Sequence, residues 1–238
     1  MSKPRNIPKN KVCPYCRQIM NSTPNDLLSA TREHLVPNTL LKNKRDRGDY
    51  DFWTCKGCNS RKSDLDFVLA TIAKMQAPDE DFAVQSVHKA LDRNDHKRYL
   101  EMIATAKKMS DGRVALKIPV SYEEIAKYCE YLAKGAYYLK RKLPLSTSQN
   151  ILLFEVFNNS VMMPLERSYK LQFGTSPVRD LESNKFSIVL VPGEALIWHK
   201  NNQFLFVLHD RFVISIKIAR KNSTNQSRLE ALRELYEK

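Results

Sequence analysis

Residues 31–37 read T-R-E-H-L-V-P and lie midway between two cysteine pairs, Cys13-Pro14-Tyr15-Cys16 and Cys55-Lys56-Gly57-Cys58. Two Cys-x-x-Cys knuckles bring four thiolates to one tetrahedral ion, a closed all-sulfur set that suits structural zinc. A disulfide framework has no need of that paired spacing. The sequence therefore predicts a zinc-braced unit over residues 11–78, with the Glu33-His34 pair carried between its knuckles. Cys129, remote from the other four, reads as a small buried hydrophobe.

With four sulfurs committed to one ion, Glu33 and His34 are left for other work. Glu33 offers an oxygen to a hard divalent cation. An unperturbed imidazole changes charge close to neutral pH, so a histidine such as His34 suits a general base. Asn59 follows the second knuckle at the start of a predicted helix over 59–76, whose apolar positions are Leu65, Val68, Leu69 and Ile72. Its side-chain carbonyl is a second candidate ligand. Lys62 lies three residues on, on nearly the same face, where its charge would meet a phosphate. The set suits phosphodiester hydrolysis, in which a divalent ion stabilises the leaving oxygen while His34 activates water.

C-P-Y-C, T-R-E-H-L-V-P and C-K-G-C-N-S-R-K together resemble the HNH endonuclease family in its zinc-stabilised variant, over about residues 11–76. The resemblance implies a ββα-metal fold and hydrolysis of DNA, most simply double-stranded. It implies His34 as general base, Glu33 as first metal ligand where the family often has Asp, Asn59 as last ligand, and a single Mg2+ or Mn2+ as the catalytic ion. The family's middle Asn has no counterpart: Asp49, Tyr50 and Asp51 stand in its region. Asp49 or Asp51, or Asn38 or Asn43 from the loop, is expected to orient the imidazole. Antiphage defence or restriction is a setting the resemblance suggests. The alternative is a non-catalytic zinc-stabilised protein that binds nucleic acid without cutting it.

Charge agrees with a polyanionic partner. Thirty-nine Lys and Arg against 26 Asp and Glu give +13, which favours nucleic acid over an anionic membrane because no basic amphipathic helix stands out. Lys3, Arg5, Lys9 and Lys11 lie in or beside a basic, proline-broken arm over 1–10, and Arg32, Lys42, Lys44, Arg45, Arg47 and Arg61 surround the Glu33-His34 pair in sequence. Such cations supply salt-sensitive backbone affinity without sequence choice. No apolar run is long enough to span a bilayer, so a soluble cytoplasmic protein is expected.

The remaining chain predicts an α+β protein of several units. Residues 79–146 form a helical segment, with helices over about 81–109, broken near Asn94-Asp95, and over 121–142, opened by a Ser121/Glu124 capping box. The tyrosines of the latter read as packing before stacking surface. Residues 147–238 form a β-rich module whose runs at 151–157, 186–191, 195–199, 203–209 and 212–218 suggest an antiparallel meander, closed by a helix over 226–238 packed on the sheet. This module is the expected contact for a protein partner or a homodimer. His88, His96, His199 and His209 carry no site signature, and Asp64 and Asp66 are accounted for by the helix dipole.

Overall fold

The computed structural model describes residues 10–43, 50–92, 97–110, 114–115 and 117–237. The arm residues Lys3, Arg5 and Lys9, the cations Lys44, Arg45 and Arg47, the candidate Asp49, and the expected helix break at Asn94-Asp95 with His96 lie outside the described residues.

The mixed α+β architecture is as expected. β1 (Ala30–His34) and β2 (Asp51–Cys55) form an antiparallel hairpin, joined by a connection that includes a short 3-10 turn at Asn38–Leu40. α1 (Lys56–Met75) follows directly, with Cys55 as its N-cap, so the second knuckle straddles the strand-helix junction rather than preceding the helix. Two main-chain bonds hold that junction: Lys56 N donates to Ser29 O at 2.8 Å and Gly57 N to Leu27 O at 2.9 Å. The first knuckle turns through Arg17 in the left-handed region, φ 66°, with Arg17 N bonded to Cys13 O at 2.9 Å.

α2 (Glu80–Leu91) and α3 (Lys97–Ala104) pack on α1 around Ala90, Tyr99 and Met102. Two short strands, β3 (Lys107–Lys108) and β4 (Val114–Ala115), pair antiparallel before α4 (Tyr122–Arg141). The capping box at Ser121 and Glu124 is present, and α4 ends with Lys142 in the left-handed region. α4 is the spine of the molecule. Tyr128 and Tyr131 are buried in its packing face, which is where the tyrosine pattern placed them.

The C-terminal strands are β5 (Asn150–Phe157), β6 (Ser187–Val191), β7 (Ala195–Lys200), β8 (Gln203–Leu208) and β9 (Phe212–Arg220), in sheet order β5-β9-β8-β7-β6. The meander from β6 to β9 agrees with the sequence; β5 returns alongside β9 to make the opposite edge. α5 (Asn159–Phe173) and α6 (Pro177–Glu182), which the sequence reading did not anticipate, lie between β5 and β6. They cover one face of the sheet through Met162 and Val178 against Leu196, Val207 and Val213. α7 (Ser223–Glu237) contacts β5 and α4. No helix among the described residues is long and apolar enough to cross a membrane.

One core runs through the three expected units. Cys13, Leu35 and Phe52 of the cysteine region, Tyr128 and Leu132 of α4, and Phe204, Ile214 and Ile216 of the sheet belong to a single buried cluster. Gly135 marks the tightest approach: a Cβ there would lie 2.6 Å from Leu35 Cδ1 and 3.1 Å from Phe52 Cζ. Only glycine lets α4 sit so close to the hairpin.

The β8-β9 turn holds His209 and Asp210 at positive φ. Burial, aided by the charges of Glu182 and Glu166, pushes the Asp210 carboxyl up to about 6. A carboxyl that holds its proton more tightly when folded stabilises at low pH, and that contribution is lost as pH rises through about 6. Asp210→Asn removes the charge and tolerates the left-handed backbone. Partial exposure reduces the effect, so we expect a gain of about 1–2 kcal/mol at pH 8, disappearing near pH 4, read from thermal melts at the two pH values.

Candidate active site and metal centre

The four knuckle sulfurs lie within 4.8 Å of one another. A tetrahedral ion with metal-sulfur bonds of about 2.3 Å sets its ligands about 3.8 Å apart, and Cys16 Sγ lies 3.7 Å from Cys55 Sγ. Cys13, Cys55 and Cys58 are buried while Cys16 is exposed. Three walls of protein and one open sulfur make a closed structural centre, and the donor set and spacing fit zinc. The supporting groups are already aimed at the sulfurs: Thr54 Oγ1 lies 3.0 Å from Cys13 Sγ, and Cys55 N donates to the same sulfur at 3.5 Å. Arg61 donates to Cys58 Sγ at 3.5 Å. The hydrogen bond from Cys58, with those from Cys55 and Thr54, draws the Cys13 thiol down to about 4 against the effect of burial. The same Cys58–Cys13 contact, with burial, pushes Cys58 up, and burial raises Cys55 to about 11. A doubly charged cation would favour the thiolate at all four positions. Cys129 is fully buried elsewhere in the core, as expected.

The hairpin sorts the acid and the histidine onto different faces. Successive strand residues point to opposite sides of the pleat, so Glu33, paired with Phe52, turns into the core, while His34, paired with Asp51, turns outward. Cross-strand neighbours share a face. His34 Nδ1 lies 2.7 Å from Asp51 Oδ1. An ionised carboxylate can only accept, so Nδ1 carries the proton and Nε2 is the basic nitrogen. Asp51 is thus the residue that occupies the orienting position among the candidates named above. Arg32, two residues before His34 and on the same face, donates through Nε at 3.0 Å to Asp51 Oδ2. The Asp51 side chain is buried, whereas those of His34 and Arg32 are 35% and 39% exposed. The pair therefore has a fixed carboxylate beneath and an accessible imidazole above.

Asn59 stands on the first turn of α1 and faces β1. Its Nδ2 donates to Thr31 Oγ1 at 3.1 Å and to Arg32 O at 3.0 Å. Both amide protons are engaged, which leaves the side-chain carbonyl oxygen as its acceptor. The helix is thereby tied to the strand that carries His34.

Lys62 differs from expectation. It is fully buried and cannot meet a phosphate from that position. Its ammonium lies 2.9 Å from Glu33 Oε1, 2.7 and 2.9 Å from the two Asp66 oxygens, and 3.2 Å from the His34 carbonyl oxygen. Burial drives the Glu33 and Asp66 carboxyls upward and Lys62 pulls them back. Burial likewise pulls Lys62 down, and its two acids more than reverse that. Asp66, set aside above as a dipole partner, is a member of this cluster; the Lys62/Asp66 i,i+4 spacing was the signal for it. Tyr128 closes the cluster, its ring 5.8 Å from Lys62 Nζ.

A catalytic divalent ion does not fit this arrangement at Glu33. That carboxylate is buried and its charge is answered by Lys62, so a second cation there would be repelled by the ammonium. Among the described residues, the only grouping of three or more His, Cys, Asp or Glu with ligand spacing is the four-cysteine set. His199 lies on β7 and His209 in the turn between β8 and β9. Comparison of the chain with protein-family models, curated proteins and solved structures gives no match, so the family resemblance rests on the residues quoted for it.

Proposed function

We propose that the chain is an HNH-type endonuclease that hydrolyses DNA phosphodiester bonds with His34 as general base. The observation that carries this reading is the His34–Asp51 pair on the outer face of a ββα unit that carries a four-cysteine cluster. Asp51 holds the tautomer in which Nε2 accepts a proton from water. As the water oxygen bonds to phosphorus and its proton passes to Nε2, the P–O bond to the leaving oxygen breaks and that oxygen takes up a proton from solvent. The imidazolium so formed is stabilised by the Asp51 carboxylate. Arg32, beside it and partly exposed, adds positive charge where a phosphate would approach. The resemblance assigns stabilisation of the leaving oxygen to Mg2+ or Mn2+; of the two ligands expected, Asn59 alone is offered in this arrangement.

The pairing of Glu33 with Lys62 favours a second reading, in which the domain binds nucleic acid and does not cut. Supercoiled-plasmid cleavage at low salt, with and without Mg2+ or Mn2+, decides between them when zinc-loaded wild type and His34→Ala are compared. We expect His34→Ala to lose about 100-fold or more in cleavage rate while its DNA affinity stays within about threefold. Binding by both proteins with cleavage by neither establishes the binder. Equal cleavage by both removes His34 from the mechanism.

A further inference from the structure

Two buried polar side chains of the C-terminal sheet reach the connection between β1 and β2. Glu194 precedes β7 and His209 follows β8; His209 N donates to Glu194 O at 2.9 Å, joining the two turns. The Glu194 carboxylate accepts from Lys42 N at 2.6 Å and from Asn43 N at 3.1 and 3.2 Å. Asn43 Nδ2 donates to it as well. His209 Nε2 lies 2.8 Å from Leu40 O; a carbonyl only accepts, so this nitrogen donates. Phe82 of α2 packs on the His209 ring at 5.3 Å between centroids, and Lys42 pairs with Asp79 at 2.6 Å.

Residues 40–43 lie on the path that leaves His34 and returns to Asp51. The two ends of that path are close, with Leu35 N bonded to Tyr50 O at 3.3 Å. We propose that Glu194 and His209 are positioning residues that clamp this connection and thereby hold His34 and Asp51 in register. The catalytic consequence rests on the endonuclease reading; the clamp does not. A buried carboxylate is tolerated only where donors answer it, and Glu194 is answered by donors from residues 42–43. The sheet turn and residues 40–43 therefore order together. The C-terminal sheet is on this account part of the active-site scaffold.

The test uses the full zinc-loaded chain with Glu194→Ala, Glu194→Gln and Val213→Ala. Val213 lies in the core on the far face of the sheet and serves as a control for general destabilisation. Gln keeps one acceptor oxygen for the two backbone amides. We expect Glu194→Ala to speed amide exchange at Lys42 and Asn43 at least tenfold and to lose the hydrogen-bonded Nδ1 proton resonance of His34. Cleavage should fall at least tenfold in parallel, with Glu194→Gln restoring most of each signal and Val213→Ala keeping them all. Unchanged exchange at Lys42 and Asn43, or equal loss of the His34 resonance in Val213→Ala, overturns the clamp. Should Glu194→Ala not fold, Glu194→Asp, one methylene short, is read by the same criteria. Absence of cleavage in wild type defeats the endonuclease reading, while exchange and the His34 resonance still decide the clamp.

Discussion

Stripping the metal with a strong chelator is expected to lower the melting temperature by about 10 °C or more, and Cys58→Ser should do so without chelator. Structural zinc sites supply about 10–16 kcal/mol of apparent binding free energy at neutral pH. A small part of that suffices, because about 4 kcal/mol moves the midpoint of a chain this long by roughly 8–16 °C. The effect should spread beyond the knuckles. Cys13, Cys55 and Cys58 belong to the same core as Phe52, Tyr128 and Leu132, and Cys55 caps α1. Loss of the ion leaves buried thiols to share protons where four thiolates shared a cation. Acid acts in the same direction, since protons compete with the metal for sulfur. Elemental analysis should return one zinc per chain. A metal-free protein with an unchanged melting point would remove the ion from the fold, and visible absorption of iron-sulfur type would replace zinc with a cluster.

Much of the local structure was legible. The Ser121/Glu124 pair marked the start of α4 because capping is a short-range interaction, and short β-rich apolar runs separated by turn residues marked β6 to β9 for the same reason. α5 and α6 were not legible. Pro164 lies inside α5, and the exposed Val161, Leu165, Leu171 and Phe173 blur the apolar stripe that would announce a helix. The division into successive units also failed to foretell the single core. That core depends on contacts such as Gly135 against Leu35, a hundred residues apart, and no periodicity encodes them. In the candidate site, the clustering of the four sulfurs was read from spacing. Asp51 was only one of several candidates until strand register placed it opposite His34. Adjacent positions in sequence suggested that Glu33 and His34 act together, whereas the pleat sends them to opposite faces.

Lys62→Met is expected to cost about 3–5 kcal/mol, the usual effect of removing one partner from a buried charged group, measured by urea denaturation of zinc-loaded protein. Methionine preserves most of the side-chain volume, so the loss reports charge rather than cavity. Without the ammonium, Glu33 and Asp66 face each other through low dielectric, and both carboxyls, already raised by burial, rise further. A raised carboxyl takes up a proton on folding, so the variant should recover relative to wild type as pH falls through the carboxylate range. Lys62→Met combined with Glu33→Gln and Asp66→Asn removes the charges together and should regain much of the stability. The His34 backbone adds a functional arm, because Lys62 Nζ also holds the His34 carbonyl oxygen. If cleavage depends on a divalent ion at Glu33, the single variant binds that ion more tightly, having lost the competing ammonium. If Glu33 serves only as the partner of Lys62, added Mg2+ or Mn2+ leaves the variant's stability unchanged and Glu33→Gln cuts DNA at close to the wild-type rate.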